Sequence, residues 1–369
     1  MWERLRSGLG YAAIYGINLL FVVKYAPRYG IPWSAGTLAY ACAFCAILWV
    51  CRRRFFVRFF QQPSAYFAAL FLTAAVLAFL MFQFDPTTRN ARAPAINDWL
   101  ARFLNGEYPY GSGTRPSGFP FLFVLALPFY LPGEVGWWQI VSFIVIGFLF
   151  YHARHSTAPG KIALLLFSPA FLYEVAVRSE LFSNMVVVML YLWIFERFAC
   201  DRTPGRMLVL GLLGGLVLST RGVVLIVYAV YFVYSFRRDM QTGLIFAFGV
   251  LASFAATILP FVVWDVGRFL RHGPLAIQTK NLPTPWIAVM LLLAVSSGVC
   301  VRSKIGVWEM VTALLFGSVT VSFILTLLQV GWSAAVWQDK FDISYFCFAL
   351  SFLLAISAPS RRSFCEIFR

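Results

Sequence analysis

The chain alternates long apolar runs with short polar connections, and one polar stretch is much longer than the rest. The longest apolar runs occupy residues 8–23, 33–51, 64–84, 243–264, 285–301, 306–330 and 343–358. The length of each run is close to what a helix needs to cross a bilayer, which is about 20 residues. Shorter apolar arms at 118–133, 162–176, 182–196 and within 207–236 bring the predicted total to about 11 to 13 spans. The pattern predicts an all-α polytopic transmembrane bundle, forming a single integral membrane domain over residues 1–369.

The long polar stretch covers residues 85–117 and contains its own helical pattern. Apolar residues recur with helical spacing at Ile96, Trp99, Leu100, Phe103 and Leu104. Pro94 before them and Asn105-Gly106 after them are typical of a helix start and a helix stop. An apolar stripe beside a basic face predicts an amphipathic helix lying in the membrane interface.

The apolar segment 118–133 leaves two interpretations open. It is shorter than the about 20 residues that a span requires, and it contains Pro120, Pro128 and Pro132. As a full span it would put the basic loop around Arg154 and Lys161 outside. The positive-inside rule favours a re-entrant or strongly tilted segment, which keeps that loop inside.

Composition supports the membrane assignment and changes the meaning of the net charge. Of the residues, 61% are hydrophobic and 12% are charged, whereas soluble domains are about 25% charged. The net charge is +15, but the Lys and Arg residues fall in bursts between apolar runs. Such bursts act as topology signals and headgroup contacts, so we expect no nucleic-acid partner. They place the loops 85–117 and 265–283 on the outer face.

Acidic residues are scarce, and most of them converge on the predicted outer face. These are Asp85, Asp98, Glu107, Glu174, Glu180, Asp265, Asp339 and Asp342. Ionisable groups at membrane depth are costly, which makes them functional candidates. Arg178 and Arg221 stand alone at the tips of apolar hairpins, where a guanidinium can bind a phosphate with two hydrogen bonds. Together they predict a site that handles a phosphorylated lipid.

Structural roles compete with these functional ones. Glu174 and Glu180 could simply pair with Arg178, the first at helical spacing. Arg221 could cap carbonyl groups or extend to lipid headgroups, and Asp85 before a proline could only end a helix. Tyr108 and Tyr110 could belong to an interfacial aromatic belt rather than contact a sugar.

A family resemblance is visible from residue 60 to 240. An outer carboxylate is followed by a surface helix, the sequence Gly106-Glu-Tyr-Pro-Tyr110, a proline-led apolar segment from Pro116 to Pro128, and Ser219-Thr-Arg221-Gly. This arrangement resembles the C-type membrane glycosyltransferases, and most of all their bacterial branch that uses polyprenyl-phosphate mannose. The resemblance implies that Asp85 is the general base on the acceptor hydroxyl and that Arg221 binds the donor phosphate. Asp98 is a rival for the base.

These observations predict a glycosyltransferase of a bacterial inner membrane that acts at the outer face. Its partners would be a polyprenyl-phosphate sugar donor, a glycan or lipid acceptor, and membrane lipid. The predicted substrate-binding residues are Arg89, Tyr108, Tyr110, Glu174, Arg178, Glu180, Arg221, Asp265 and Arg268. The alternatives are a transporter or flippase of a lipid-linked or anionic solute, and a surface-glycan polymerase or ligase.

No cofactor is predicted, because the sequence has neither a glycine-rich phosphate loop nor a D-x-D motif. A lipid-linked donor removes the need for a nucleotide-binding domain. Asp339 and Asp342 leave a divalent metal open.

Overall fold

The structure is a computed structural model that describes residues 2–51, 60, 62–84, 92–111, 114–199, 201–279 and 284–357. Within these ranges every regular element is a helix and there is no strand, which confirms the predicted all-α class. Asp85 and Arg89, two of the predicted site residues, lie outside the described residues.

The helices follow the apolar runs closely. They are α1 (Trp2–Tyr25), α2 (Trp33–Cys51), α3 (Pro63–Phe82), α4 (Arg92–Leu104), α5 (Pro120–Tyr130), α6 (Trp137–Arg154), α7 (Ala158–Leu166), α8 (Pro169–Ala176), α9 (Leu181–Phe198), α10 (Pro204–Leu218), α11 (Val224–Phe236), α12 (Met240–Trp264), α13 (Val266–His272), α14 (Pro274–Gln278), α15 (Thr284–Cys300), α16 (Lys304–Trp332) and α17 (Cys347–Ile356). Short 3-10 turns cover Ala26–Tyr29 and Ile343–Phe346, and a π-helical turn covers Ser333–Trp337.

Six helical segments in the described part of the chain are long and apolar enough to cross a membrane. They are Gly8–Tyr29, Trp33–Cys51, Pro63–Phe82, Leu181–Phe198, Met240–Trp264 and Lys304–Trp337. The bent pair α7 and α8 would make a seventh. The chain is therefore a multi-pass membrane protein by length and composition, and the total of 11 to 13 spans stays a prediction.

Helix α5 occupies the segment whose membrane path was left open. Pro120 stands in its first turn, Pro128 lies inside it, and the helix has 11 residues. At 1.5 Å per residue it extends about 16 Å, roughly half of the hydrocarbon thickness. The re-entrant or tilted course of 118–133 stays a prediction.

The predicted arm 162–176 is not one helix but two, bent by 65° between α7 and α8. Pro169 begins α8. Proline disfavours the helical conformation for the preceding residue and brings no N–H of its own, so the first helix ends there. Asn18 of α1 stabilises the break, because its Oδ1 accepts from Ser168 Oγ at 2.6 Å and from the Ala170 N–H at 3.1 Å.

The chain divides into two compact units. One comprises residues 1–83, 140–176 and 316–369, and the other comprises 84–139 and 177–315. In the first unit α1 packs on α2 and α17, α2 packs on α7, and α3 packs on α8. In the second unit α10 packs on α12, and α11 packs on α15. The predicted site residues that the structure describes belong to the second unit, except Glu174.

Glycines allow α10 and α12 to approach closely. A Cβ atom added at Gly211 would lie 2.3 Å from the Phe246 carbonyl oxygen, and one added at Gly215 would lie 2.1 Å from that of Val250. Small residues at such contacts are typical of helix packing in membranes. Ser253 Oγ donates to the Leu212 carbonyl at 2.6 Å. This contact joins the middle of α10 to α12, and Thr257 of α12 donates to Ser219 Oγ at 2.6 Å just after the end of α10, where the turn with Arg221 begins.

The amphipathic helix forms as predicted, but its apolar stripe is divided. Ile96, Trp99 and Leu100 are buried inside the protein, whereas Phe103 and Leu104 are exposed. Trp99 stacks on Phe123 of α5 with ring centroids 4.2 Å apart. Helix α5 therefore covers the first half of the stripe, and the position of α4 in the membrane interface stays a prediction.

Candidate functional site

The second unit contains a cluster of buried charged residues where several helices begin or end. Arg92 opens α4, Glu134 follows α5, and Glu180 immediately precedes α9, with Arg178 two residues before it. Arg221 lies in the turn between α10 and α11. The prediction that Arg221 occupies a turn between two short helices is thus confirmed. The residues form two groups of ion pairs, Arg92 and Arg221 with Glu180 and Arg178 with Glu134, which the short segment 178–180 connects; together they are called the charged cluster.

Glu180 is the shared partner of two arginines. Its Oε1 accepts a hydrogen bond from Arg221 Nη2 and lies 3.5 Å from Arg92 Nη1. Glu180 and Arg221 are each 2% exposed. Taking such groups out of water costs several kcal/mol per ion, about as much as the ion pair returns. A buried trio of this kind contributes little net stability, so its presence favours a functional explanation.

Arg178 makes a second ion pair. Its Nε donates to both carboxylate oxygens of Glu134 at 3.2 Å, and its Nη1 donates to the Phe84 carbonyl at 2.7 Å. Its backbone has φ of +52°, a left-handed conformation that costs a non-glycine residue about 1–2 kcal/mol. Strain of this kind is concentrated at functional sites. The hydrogen bond to the Phe84 carbonyl also attaches the chain immediately before Asp85 to the Arg178 guanidinium.

Sequence reasoning overlooked Glu134 and did not assign Arg92 to the site. Glu134 follows Gly133, whose φ of +98° turns the chain at the end of α5. A carboxylate directly after a Pro-Gly turn at the end of an apolar run was the available signal. Arg92 is one of several arginines in the polar stretch 85–117, and only its contact with Glu180 distinguishes it.

A polar frame holds the Arg221 turn in place. Arg221 Nη1 donates to Ser117 Oγ at 3.1 Å. Gln278 of α14 donates to the Ser117 carbonyl at 2.6 Å and accepts from the Gly222 N–H at 2.8 Å. The backbone N–H of Phe119 donates to the Thr220 carbonyl at 3.0 Å. The approach to α5 and the turn after α10 are therefore tied together around the guanidinium.

Polar atoms beside Glu180 are buried without a partner among the described residues. They are Ser179 Oγ, Glu180 Oε2, and both the oxygen and the nitrogen of the Asn184 side chain. Asn184 is 0% exposed and lies in the first turn of α9. One residue earlier, Ser183 Oγ donates to Gln139 Oε1. The start of α9 therefore offers both hydrogen-bond donors and acceptors that no described residue uses.

Asp98, the rival general base, is engaged by its neighbours. Its Oδ1 accepts from Arg102 Nε at 3.0 Å, and its Oδ2 accepts from the Thr114 hydroxyl. Arg102 also donates to Glu107 Oε2 at 3.3 Å. These contacts lie on the part of α4 away from Arg92, and each of them is local to the loop.

Asp265 and Arg268 form a helix cap rather than part of the charged cluster. Asp265 caps α13 by accepting from the Arg268 N–H at 2.8 Å, and its other oxygen lies 3.2 Å from Arg268 Nε. Their side chains remain 34% and 58% exposed. An N-terminal cap with this geometry explains both residues through local structure.

Tyr108 and Tyr110 belong to an aromatic core around Trp99. Tyr110 is 0% exposed, and its hydroxyl donates to the Gly118 carbonyl at 3.1 Å. Tyr108 donates to the Phe261 carbonyl at 3.3 Å. Burial and the nearby Asp265 carboxylate raise the pKa of Tyr108 to about 12. Burial raises the pKa of Tyr110 well above its usual value. Both phenols are neutral at physiological pH and support the loop from within.

Glu174, Asp339 and Asp342 lie in the first unit. Glu174 is fully buried in α8. Asp339 accepts from Lys24 at 2.6 Å and from Arg28 at 3.2 Å, and Asp342 binds the Ser344 N–H at 3.0 Å. Two cations already occupy the Asp339 carboxylate. Across the described ranges, no three His, Cys, Asp or Glu side chains gather as metal ligands.

Comparison with known proteins found no matching protein-family model, no matching curated protein and no matching solved structure.

Proposed function

We propose that the protein is a membrane glycosyltransferase that moves a sugar from a polyprenyl-phosphate donor to an acceptor at the outer face of a bacterial inner membrane. The observation that carries this proposal is the buried cluster of Arg92, Arg178 and Arg221 with Glu134 and Glu180. Three guanidinium groups gathered with two carboxylates among the described residues are the kind of donors that bind phosphate oxygens in pairs.

A lipid phosphate suits this cluster better than a soluble anion does. The arginines are buried in a chain made of apolar helices, so the ligand must bring its charge into a low-dielectric environment. A polyprenyl chain anchors its phosphate at the membrane, which raises the concentration of the phosphate beside these helices. Guanidinium groups form paired hydrogen bonds with phosphate oxygens. On binding, the phosphate would compete with Glu180 for Arg92 and Arg221.

The transfer follows from this charge arrangement. The acceptor oxygen attacks the anomeric carbon, the bond from that carbon to the phosphate oxygen breaks, and the polyprenyl phosphate leaves with the electron pair. Positive charge fixed around the phosphate stabilises the negative charge that develops there. The acceptor proton passes to a carboxylate that acts as general base.

Asp85 is the base that we favour. Both oxygens of Asp98 already accept hydrogen bonds, from Arg102 and Thr114. Asp85 directly follows Phe84 in the sequence, and the Phe84 carbonyl is bound by Arg178, two residues before Glu180. The contact thus links the chain entering the Asp85 segment to the proposed phosphate site.

The test is transfer of labelled sugar by the purified full chain from polyprenyl-phosphate donors. Arg221→Gln should lower transfer by at least about 100-fold, as expected for loss of a charge on the leaving group. Asp85→Asn should lower transfer by a similar factor, and Asp98→Asn by much less. Arg206→Gln is the matched control, because Arg206 pairs with Asp201 on the exposed surface and should keep full activity.

Two results would contradict the proposal. One is full transfer by a folded Arg221→Gln variant. The other is donor binding by the wild-type chain without any sugar transfer, which would favour a transporter of lipid-linked solutes.

A further inference from the structure

We infer that the first turn of α9 is a carbohydrate-binding subsite in which Asn184, Ser179 and the second oxygen of Glu180 bind hydroxyl groups of the donor sugar. This inference rests on the proposed function and names the part of the donor that the turn recognises. It depends on the side chain of Asn184, which is fully buried and has no hydrogen-bond partner among the described residues.

Asn184 lies beside the proposed phosphate site. Its N–H donates to the Glu180 carbonyl at 2.8 Å, in the helical i to i+4 arrangement. Side chains at this spacing lie on the same helix face with Cβ atoms about 5–6 Å apart. Glu180 itself contacts Arg221 and Arg92. A ligand group one helical turn from the phosphate would therefore meet the Asn184 amide.

The unused atoms call for a ligand that both donates and accepts. Glu180 Oε2 and Asn184 Oδ1 are acceptors, Asn184 Nδ2 is a donor, and Ser179 Oγ is both. A phosphate group has no donors for the two acceptor oxygens. Hydroxyl groups donate and accept, and adjacent sugar hydroxyls present both functions at the spacing of a carboxamide.

A second buried asparagine among the described residues shows how a buried amide is fully paired elsewhere in this chain. The other buried asparagine, Asn18 of α1, is 0% exposed. Its oxygen accepts from Ser168 Oγ and the Ala170 N–H, and its nitrogen donates to the Ile14 carbonyl at 2.9 Å. A buried polar group left without a partner is costly, so the unpartnered amide of Asn184 is best explained by a ligand.

The experiment measures binding of two kinds of probe to the purified full chain in detergent. One is polyprenyl phosphate without a sugar, and the other is a set of polyprenyl phosphates carrying mannose, glucose, galactose or arabinose. The wild-type chain should bind one of the sugar-bearing lipids more tightly than the bare phosphate. Asn184→Leu should weaken binding of that lipid about tenfold, the loss of about two hydrogen bonds, and leave the bare phosphate unchanged.

The controls separate this inference from the proposed function. Asn18→Leu, or Asn18→Ser should the leucine variant not fold, should keep the preference for the sugar-bearing lipid. Asn184→Ala replaces Asn184→Leu if the leucine variant does not fold. Arg221→Gln should weaken both kinds of probe.

Each remaining outcome overturns a defined statement. An unchanged sugar preference in the Asn184 variants would overturn the carbohydrate subsite. A bound water would then be the partner of the Asn184 amide, and the proposed function would be unaffected. The same holds for a wild-type chain that binds bare and sugar-bearing lipids equally. A wild-type chain that binds neither probe would overturn the proposed function and the subsite together.

Discussion

Two buried asparagines, one in each unit, occupy opposite chemical situations. Asn18 bridges the break between α7 and α8, and both ends of its amide are hydrogen-bonded. Asn184 stands in the first turn of α9, and neither end of its amide has a partner among the described residues. In a chain of apolar helices, the first arrangement repairs a backbone defect that Pro169 creates. The second adds a cost without a structural return.

Charged residues repeat this contrast. In the first unit Arg28 pairs with Asp339 at the surface, their side chains being 28% and 58% exposed, and the buried Lys24 reaches the same carboxylate. In the second unit Arg92 and Arg221 meet Glu180, whose side chain is 3% exposed. An exposed ion pair contributes about 0–1 kcal/mol and costs little desolvation. The buried charges of Arg221 and Glu180 lose their hydration, and the ion pair fixes their positions. The difference teaches that burial and completeness of pairing, rather than residue type, distinguish supporting polar groups from candidate functional ones.

The largest expected effect follows from removing the centre of the buried cluster. Glu180→Ala leaves the guanidinium groups of Arg92 and Arg221 without their shared carboxylate, and breaking a buried pair costs about 3–5 kcal/mol. Thermal unfolding in detergent should report this loss. Polyprenyl phosphate should restore part of it by supplying the missing negative charge. Equal stability of variant and wild type would remove the contrast between the ion pairs of Asp339 and those of Glu180.

The next effect concerns the satisfied asparagine. Asn18→Leu leaves the Ser168 hydroxyl and the Ala170 N–H buried without their acceptor, and each such group costs about 1–3 kcal/mol. We expect a loss of unfolding free energy of about 2–4 kcal/mol, measured by chemical denaturation in mixed micelles. A neutral result would mean that the bend at Pro169 does not depend on the Asn18 bridge.

The opposite sign is expected for the unsatisfied asparagine. Asn184→Leu replaces an unpartnered amide by an apolar group of similar size, which should stabilise the ligand-free chain by about 1 kcal/mol. The same denaturation experiment without lipid donor measures it. Destabilisation comparable to that of Asn18→Leu would place the two asparagines in the same class.

The smallest effect is expected at an exposed cap outside both regions. Hydrogen bonds from Thr242, with the nearby Arg202, hold the pKa of Asp239 below its usual value at the start of α12. Because the folded-state pKa is lowered, the cap contributes fully above the pKa of the unfolded chain, and the contribution is lost as pH falls below about 4. The protection factors of the amides in the first turn of α12, which remove the intrinsic pH dependence of exchange, should therefore fall on acidification from pH 5 to pH 3. Asp239→Asn should remove most of this pH dependence.

The apolar pattern by itself determined the helices and many of their ends. It predicted the extents of α2 and α3 and the turn at Arg221, because hydropathy, proline and glycine act on neighbouring residues. It also marked Arg178, Glu180 and Arg221 as unusual, because a charge at the end of an apolar run is costly wherever the run packs.

Only the tertiary structure decided which charges meet. Arg178 contacts Glu134 from 44 residues away, Arg221 contacts Glu180 from 41 residues away, and Arg92 joins them from a helix read as a surface element. Such pairings depend on how the helices pack, because any arginine could form an ion pair of similar strength with any of the carboxylates. The saturation of Asn18 and the open amide of Asn184 likewise follow from packing, because two identical side chains on apolar helices differ only in what lies opposite them.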